Sequence, residues 1–153
     1  SIEEVRNAIV DALVAVANSG DCLRLFLEPI TSLKPDDVVK LCKADGPALA
    51  KFMQEMCTEG IKNTMKPIVD TVLDGHWLTE KWDVLAKLYN EAAEKLSAVD
   101  PIETNLTEYV LDSFIEKTGQ MVCGKEDKIK SEPNATEDED IIKLWGNTDS
   151  DSA

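Results

Sequence analysis

The stretch IKNTMKPIVDTVLDGHWL, residues 61–78, decides the fold. Its apolar residues Ile61, Met65, Ile68, Val69, Val72 and Leu73 follow the i, i+4, i+7, i+8, i+11, i+12 series of one helix face. Such a series predicts a buried helix. Pro67 interrupts it, because proline has no N–H to give and its ring clashes with the carbonyl of Asn63, which predicts a kink or a restart near Thr64. Asp74-Gly75 is expected to stop the helix, with His76-Trp77 in the turn beyond.

The same period extends on both sides. Upstream, Ser1 and Glu4 form an S-x-x-E capping box. Ile2, Val5, Ile9, Ala12, Leu13 and Val16 then mark a buried stripe that Asn18-Ser-Gly20 ends. A short helix follows from Asp21 to about Ile30, with Leu23, Phe26 and Leu27 inward. Pro35 with Asp36 and Asp37 makes a favourable first turn, since proline spares an orphan donor and the acids oppose the dipole. That helix runs to about Lys43, with Val38, Leu41 and Cys42 inward. Asp45-Gly46-Pro47 opens the next, whose stripe of Leu49, Phe52, Met53 and Met56 leads into the opening stretch.

Downstream, Thr79 is expected to cap a long helix to about Val99, with Trp82, Leu85, Leu88, Tyr89, Ala92 and Leu96 on one face. Asp100-Pro101 breaks it. Asn105 and Glu108 resemble another capping box, with Tyr109, Val110, Phe114, Ile115 and Met121 inward, Gly119 and Gly124 as weak points and Pro133 as the end. Thr136 and Glu139 frame a last short helix through Ile141, Ile142, Leu144 and Trp145. The expectation is an all-α array of seven to eight short helices: a single domain over 1–146 and a disordered acidic tail over 147–153.

With 43% hydrophobic residues in 153, the chain can build one core. Sixteen basic against thirty acidic residues give a formal charge of −14. That balance disfavours nucleic acid and anionic membrane surfaces as partners. No apolar run reaches the roughly 18 residues a membrane span needs. No intact signal peptide is visible, and Ser1 is compatible with a mature terminus left by cleavage.

Cys22, Cys42, Cys57 and Cys123 have no zinc-site spacing, and a chain with one histidine is poor in further ligands. Two disulfides are expected instead. A hairpin about Leu33 would bring Cys22 opposite Cys42 and leave Cys57 for Cys123, although sequence alone leaves all three pairings open. The sequons at Asn105 and Asn134 point to the same secretory compartment. Asn134 is the better acceptor, because Asn105 is also the expected helix cap.

His76 lacks the companions of a catalytic base: no G-x-S-x-G or comparable nucleophile motif accompanies it. No catalytic residue, cofactor or metal is therefore assigned. His76, Trp77, Trp82 and Tyr89 are the candidate ligand-binding residues, an aromatic group beside the Pro67 break. Core packing explains the seven-residue spacing of Trp82 and Tyr89 equally well. Asn147, Asp149 and Asp151 have the first three spacings of a calcium loop but lack its glycine and its terminal glutamate, so they read as a solvated tail.

Five blocks carry a resemblance to a known family: FLEPITSLKPDDVVKLCKADGPALAKFM (26–53), MKPIVDTVLDG (65–75), LYNEAAEKL (88–96), NLTEYVLDSF (105–114) and KIKSEPNATEDEDIIKLWG (128–146). In this order, from about Cys22 to Gly146, the chain resembles the uncharacterised bacterial family catalogued as domain of unknown function 4197, mostly predicted exported proteins. The resemblance implies an all-helical fold and transfers no activity or catalytic residue. The chain departs from the family pattern at Cys123-Gly124-Lys125-Glu126, at Ile129-Lys130 before Glu132-Pro133, and in its four cysteines. Those departures imply a eukaryotic extracellular relative.

The functional expectation is a secreted, non-enzymatic protein that binds a small apolar or amphipathic molecule between its helices. The alternative is an acidic extracellular interaction or matrix protein, modulated by calcium. A hydrolase is the third and least favoured reading.

Overall fold

A computed structural model describes residues 2–97, 99–102, 105–135 and 137–146, the side chains of Leu144 and Trp145 excepted. The Ser1 half of the first capping box, the Thr136 cap and everything expected of 147–153 lie outside the described residues. Among those residues every regular element is helical: α1 (Ile2–Ala17), α2 (Gly20–Thr31), α3 (Pro35–Lys43), α4 (Ala48–Gly75), α5 (Thr79–Leu96), α6 (Leu106–Ser131), a 3-10 turn (Pro133–Ala135) and α7 (Glu139–Trp145). Contacts gather these into two compact units, one drawn from Ser1–Phe26 with Cys57–Ile115, the other from Leu27–Met56 with Glu116–Ala153.

In the first unit the core line of α4 is Cys57, Ile61, Met65, Val69 and Leu73, all at most 3% exposed. Steps of four residues advance about 40° each on a helix of 3.6 residues per turn, so this line winds roughly 160° around α4. The helix is covered on more than one side. Pro67 neither ends nor restarts it: α4 runs unbroken from Ala48 to Gly75. Both Pro67 and Asn63 are exposed, so water can satisfy the carbonyl that proline cannot serve. Thr71 Oγ1 donates to the Pro67 carbonyl at 2.8 Å.

The start of α6 runs antiparallel to α4 in this unit. Lys62 Nζ lies between Glu108 at 3.2 Å and Asp112 at 2.6 Å. Towards the other end, the buried Thr107 hydroxyl donates to Asp70. Asn105 Oδ1 accepts from the Glu108 amide at 3.1 Å, the cap expected of it. Both polar residues of that sequon therefore have structural partners.

The expected faces of two helices are rotated. In α1, Ala8 joins Ala12 and Val16 as fully buried while Ile2 is 91% exposed. In α5 only Ala86 and Ala93 are buried, leaving Val84, Leu85, Leu88, Tyr89 and Leu96 exposed. Small residues let a helix backbone approach its neighbours closely, and here that approach outweighs the larger apolar row. Thr79 does not cap α5: the N-cap is Leu78, and Thr79 Oγ1 donates to Asp74 Oδ1 at 2.7 Å. Ser97, left-handed at φ 48°, ends the helix before Val99. Asn90 then holds the following segment like a second peptide, giving Nδ2 to the Ile102 carbonyl at 2.9 Å and accepting the Ile102 amide at 2.8 Å.

In the second unit Glu126 and Lys130, one turn apart on α6, clasp the α3–α4 turn. Glu126 is 7% exposed. Its Oε1 and Oε2 accept from the amides of Leu49 (3.2 Å) and Ala50 (2.7 Å), orphan donors of the first turn of α4. Lys130 Nζ pairs with Glu126 Oε1 at 2.9 Å and donates to the carbonyls of Ala44 (2.8 Å) and Gly46 (2.7 Å). One ion pair thus caps α4 and fixes the turn before it, which Gly46 completes at φ 67°. Asp138, accepting from the amides of Asp140 and Ile141, caps α7 in the place expected of Thr136.

The expected disulfides, Cys22–Cys42 and Cys57–Cys123, are not made, and all four residues are unbridged thiols. The imagined α2–α3 hairpin is not a unit of this structure. Cys22 belongs with Cys57 in the first unit and Cys42 with Cys123 in the second. Burial pushes the Cys57 thiol up, and the charge of Cys22 adds to that effect.

Candidate ligand-binding cleft

Three of the four aromatic-group residues come together in the first unit. A cavity of about 590 Å³ opens where the turn after α4 meets the starts of α1, α5 and α6. Ile2, Glu4 and Val5 form one wall, His76, Trp77 and Leu78 the turn, Lys81, Trp82 and Leu85 the α5 wall, and Leu106 the α6 side. Its size lies in the range of small-molecule sites, and its lining is apolar with a few polar groups, as such sites require. Tyr89 does not line it: seven residues beyond Trp82, it sits roughly 10 Å further along α5.

The turn that places His76 and Trp77 has a defined chemistry. The Trp77 amide bonds to the Asp74 carbonyl at 3.0 Å and the Leu78 amide to the Leu73 carbonyl at 3.3 Å. Those two bonds, with buried Leu73 and Leu78 beside them, make a Schellman motif with Trp77 at C′. Gly75, expected to be the stop, is instead the last helical residue. Trp77 takes the left-handed conformation, φ 57°, and remains 81% exposed. His76 reaches α1, its Nε2 3.1 Å from Asp11 Oδ2. Asp74, its neighbour in sequence, is not its partner. Trp82 is half-buried and packs on Tyr109 of α6 with ring centroids 6.1 Å apart at 34°.

Chemically the cleft offers one carboxylate (Glu4), one ammonium (Lys81) and one imidazole (His76) in an apolar wall. Among the described residues no group of three or more His, Cys, Asp and Glu side chains is placed to hold a metal ion. No helix among them is long and apolar enough to cross a membrane.

The family described as a protein of unknown function, DUF4197, matches residues 3–146. The chain belongs to that family. The DUF4197 match begins near the start of α1, well before Cys22 where the resemblance was first legible, and so takes in every wall of the cleft except Ile2. Searches of curated proteins and of solved structures return no match.

The polar clusters outside the cleft escaped the sequence reading. Lys62 is held above its ordinary value, chiefly by its hydrogen bond to Asp112, with burial opposing and Glu108 assisting. Burial alone would raise Asp70, but hydrogen bonds from Lys66 and Thr107 outweigh it and keep the carboxyl low. The i, i+4 spacing of Glu126 and Lys130 is the only sequence signal of their clasp. Their backbone partners lie 76 to 86 residues away in the chain.

Proposed function

We propose that this DUF4197 chain is a non-enzymatic binding protein for a small apolar or amphipathic molecule, held in the cleft beside α5. The reading is carried by one observation: a cavity of about 590 Å³ whose lining includes two tryptophans, with polar groups at only three of its ten positions. The imidazole at its edge is engaged by the Asp11 carboxylate. An extracellular setting is part of the proposal and rests on the sequons, Asn134 above all, rather than on the cysteines.

Native mass spectrometry of material from the natural source, with a tryptophan-fluorescence screen of lipids, pigments and sterols, tests it. A co-purifying molecule or a saturable fluorescence change is expected. Neither response, or a measured turnover abolished by His76→Ala, would defeat the proposal. The net charge of −14 favours a second reading, an acidic interaction protein modulated by calcium. That reading predicts salt-sensitive association, which the cleft does not.

A further inference from the structure

α5 turns its larger aliphatic side chains away from its own core. Its buried residues are Ala86 and Ala93, while Val84, Leu85, Leu88, Tyr89 and Leu96 are exposed. An amphipathic helix that packs only within its own domain has the reverse arrangement. Val84, Leu88, Ala92 and Leu96 stand four residues apart, so they form one continuous ridge, with Leu85 and Tyr89 on the next. A contiguous apolar face of this kind marks an interaction surface. A shallow depression lined by Glu80, Lys81, Val84 and Leu85 lies at its N-terminal end.

The charges around the ridge identify the occupant. The exposed charged side chains of α5 are Glu80, Lys81, Lys87, Glu91, Glu94 and Lys95, three acids and three bases. They cancel, on a chain whose net charge is −14. The carboxylates that would hold two copies apart therefore lie off this face. The order of the charges is also self-complementary. Take two antiparallel copies of α5 related by a two-fold axis beside residues 87 and 88. Glu80 of each copy then meets Lys95 of the other, about 11 Å from the axis at 1.5 Å per residue. Leu88 faces its own copy at the axis, Val84 lies over the small Ala92, and Leu96 reaches the depression. Crossing at about 20°, a common angle for helix pairs, keeps the charged ends in reach.

We propose that this face is the interface of a homodimer, two antiparallel copies of α5 packed ridge against ridge about Leu88. None of Glu80, Leu88 and Lys95 lines the cleft, so the interface and the ligand site stand or fall separately. Sedimentation velocity of the full chain, from low micromolar to submillimolar concentration, tests it, with circular dichroism reporting the fold of each variant. A concentration-dependent shift from one copy to two is expected. Leu88→Glu sets two carboxylates together at the axis on a side chain already 58% exposed, and is expected to keep the helical spectrum and lose the dimer. Lys95→Glu is expected to weaken the dimer about tenfold, and Glu80→Lys with Lys95→Glu in one chain to restore it.

A chain that stays a single copy throughout overturns the proposal and leaves the ridge to a different partner. A dimer that survives Leu88→Glu lies on another face. If Leu88→Glu disturbs the helical spectrum, the charge exchange decides alone. A dimer indifferent to Lys95→Glu, or not restored by the double exchange, overturns the antiparallel pairing.

Discussion

Glu126→Ala is the perturbation whose magnitude follows most directly from the structure. The carboxylate is 7% exposed and accepts from the Leu49 and Ala50 amides at 3.2 and 2.7 Å. It also neutralises Lys130, 2.9 Å away, whose side chain is itself only 15% exposed. Alanine leaves two first-turn donors of α4 without their acceptor and an enclosed ammonium without its counter-charge. Hydrogen bonds to charged groups contribute about 1.5–3 kcal/mol each, and breaking one side of a buried ion pair costs about 3–5 kcal/mol. Because these figures count the same groups, a loss of about 4 kcal/mol is expected rather than their sum. That is a large share of the roughly 5–15 kcal/mol of a folded domain.

Urea unfolding should show the loss as a lowered midpoint. Hydrogen exchange localises it: the Leu49 and Ala50 amides should exchange roughly a thousandfold faster, since about 1.4 kcal/mol is a factor of ten. Glu126→Gln keeps one acceptor oxygen but turns an NH₂ towards a donor, so it should fall between parent and alanine. A loss below about 1 kcal/mol with unchanged exchange at both amides would refute the reasoning, because water would then be capping α4 as well as the carboxylate does.

Four further outcomes are expected. Asp70 is held below its ordinary value, so its contribution is complete above the unfolded value of about 3.9 and lost as pH falls through the lower folded value; Asp70→Asn should flatten the acid limb of stability against pH. Lys62 is held above its ordinary value, so its contribution is complete below about 10.4 and lost as pH rises through the folded value, and Lys62→Met should flatten the alkaline limb. Gly46→Ala meets nothing within 4 Å but takes alanine to φ 67°, so chemical denaturation should show a purely conformational loss of about 1–2 kcal/mol. A thiol reagent should count four groups in denaturant without reductant, and in the native protein Cys42 and Cys57, at 5% and 3% exposure, should react more slowly than Cys123. A native count that never reaches four after unfolding would show a bridge.

Much of this molecule is local, and what is local was legible. Helix existence follows from period and caps: Pro35 with two acids starts α3, Asn105 caps α6, and the apolar series through Ile61 and Leu73 makes α4 helical. Helix orientation is another matter. The row Trp82, Leu85, Leu88 and Leu96 looked like the buried face of α5, yet the buried residues are Ala86 and Ala93. A helix alone has no reason to prefer one apolar row over another; the depth to which its neighbours allow it to sink makes the choice. Pro67 failed as a break for a related reason. The carbonyl it orphans faces water, which a sequence cannot report.

The stretch 61–78 shows the division most plainly. Its helical period, its end close to Asp74-Gly75 and the gathering of His76 and Trp77 beyond were legible in the sequence, because all three depend on residues within a turn or two. Only the tertiary structure decided that Trp77 rather than Gly75 takes the left-handed position, that His76 meets Asp11 rather than Asp74, and that α1 and α6 close a cavity over that turn. The last two are contacts between residues far apart in the chain. They are set by how helices pack, and period and capping carry no information about them.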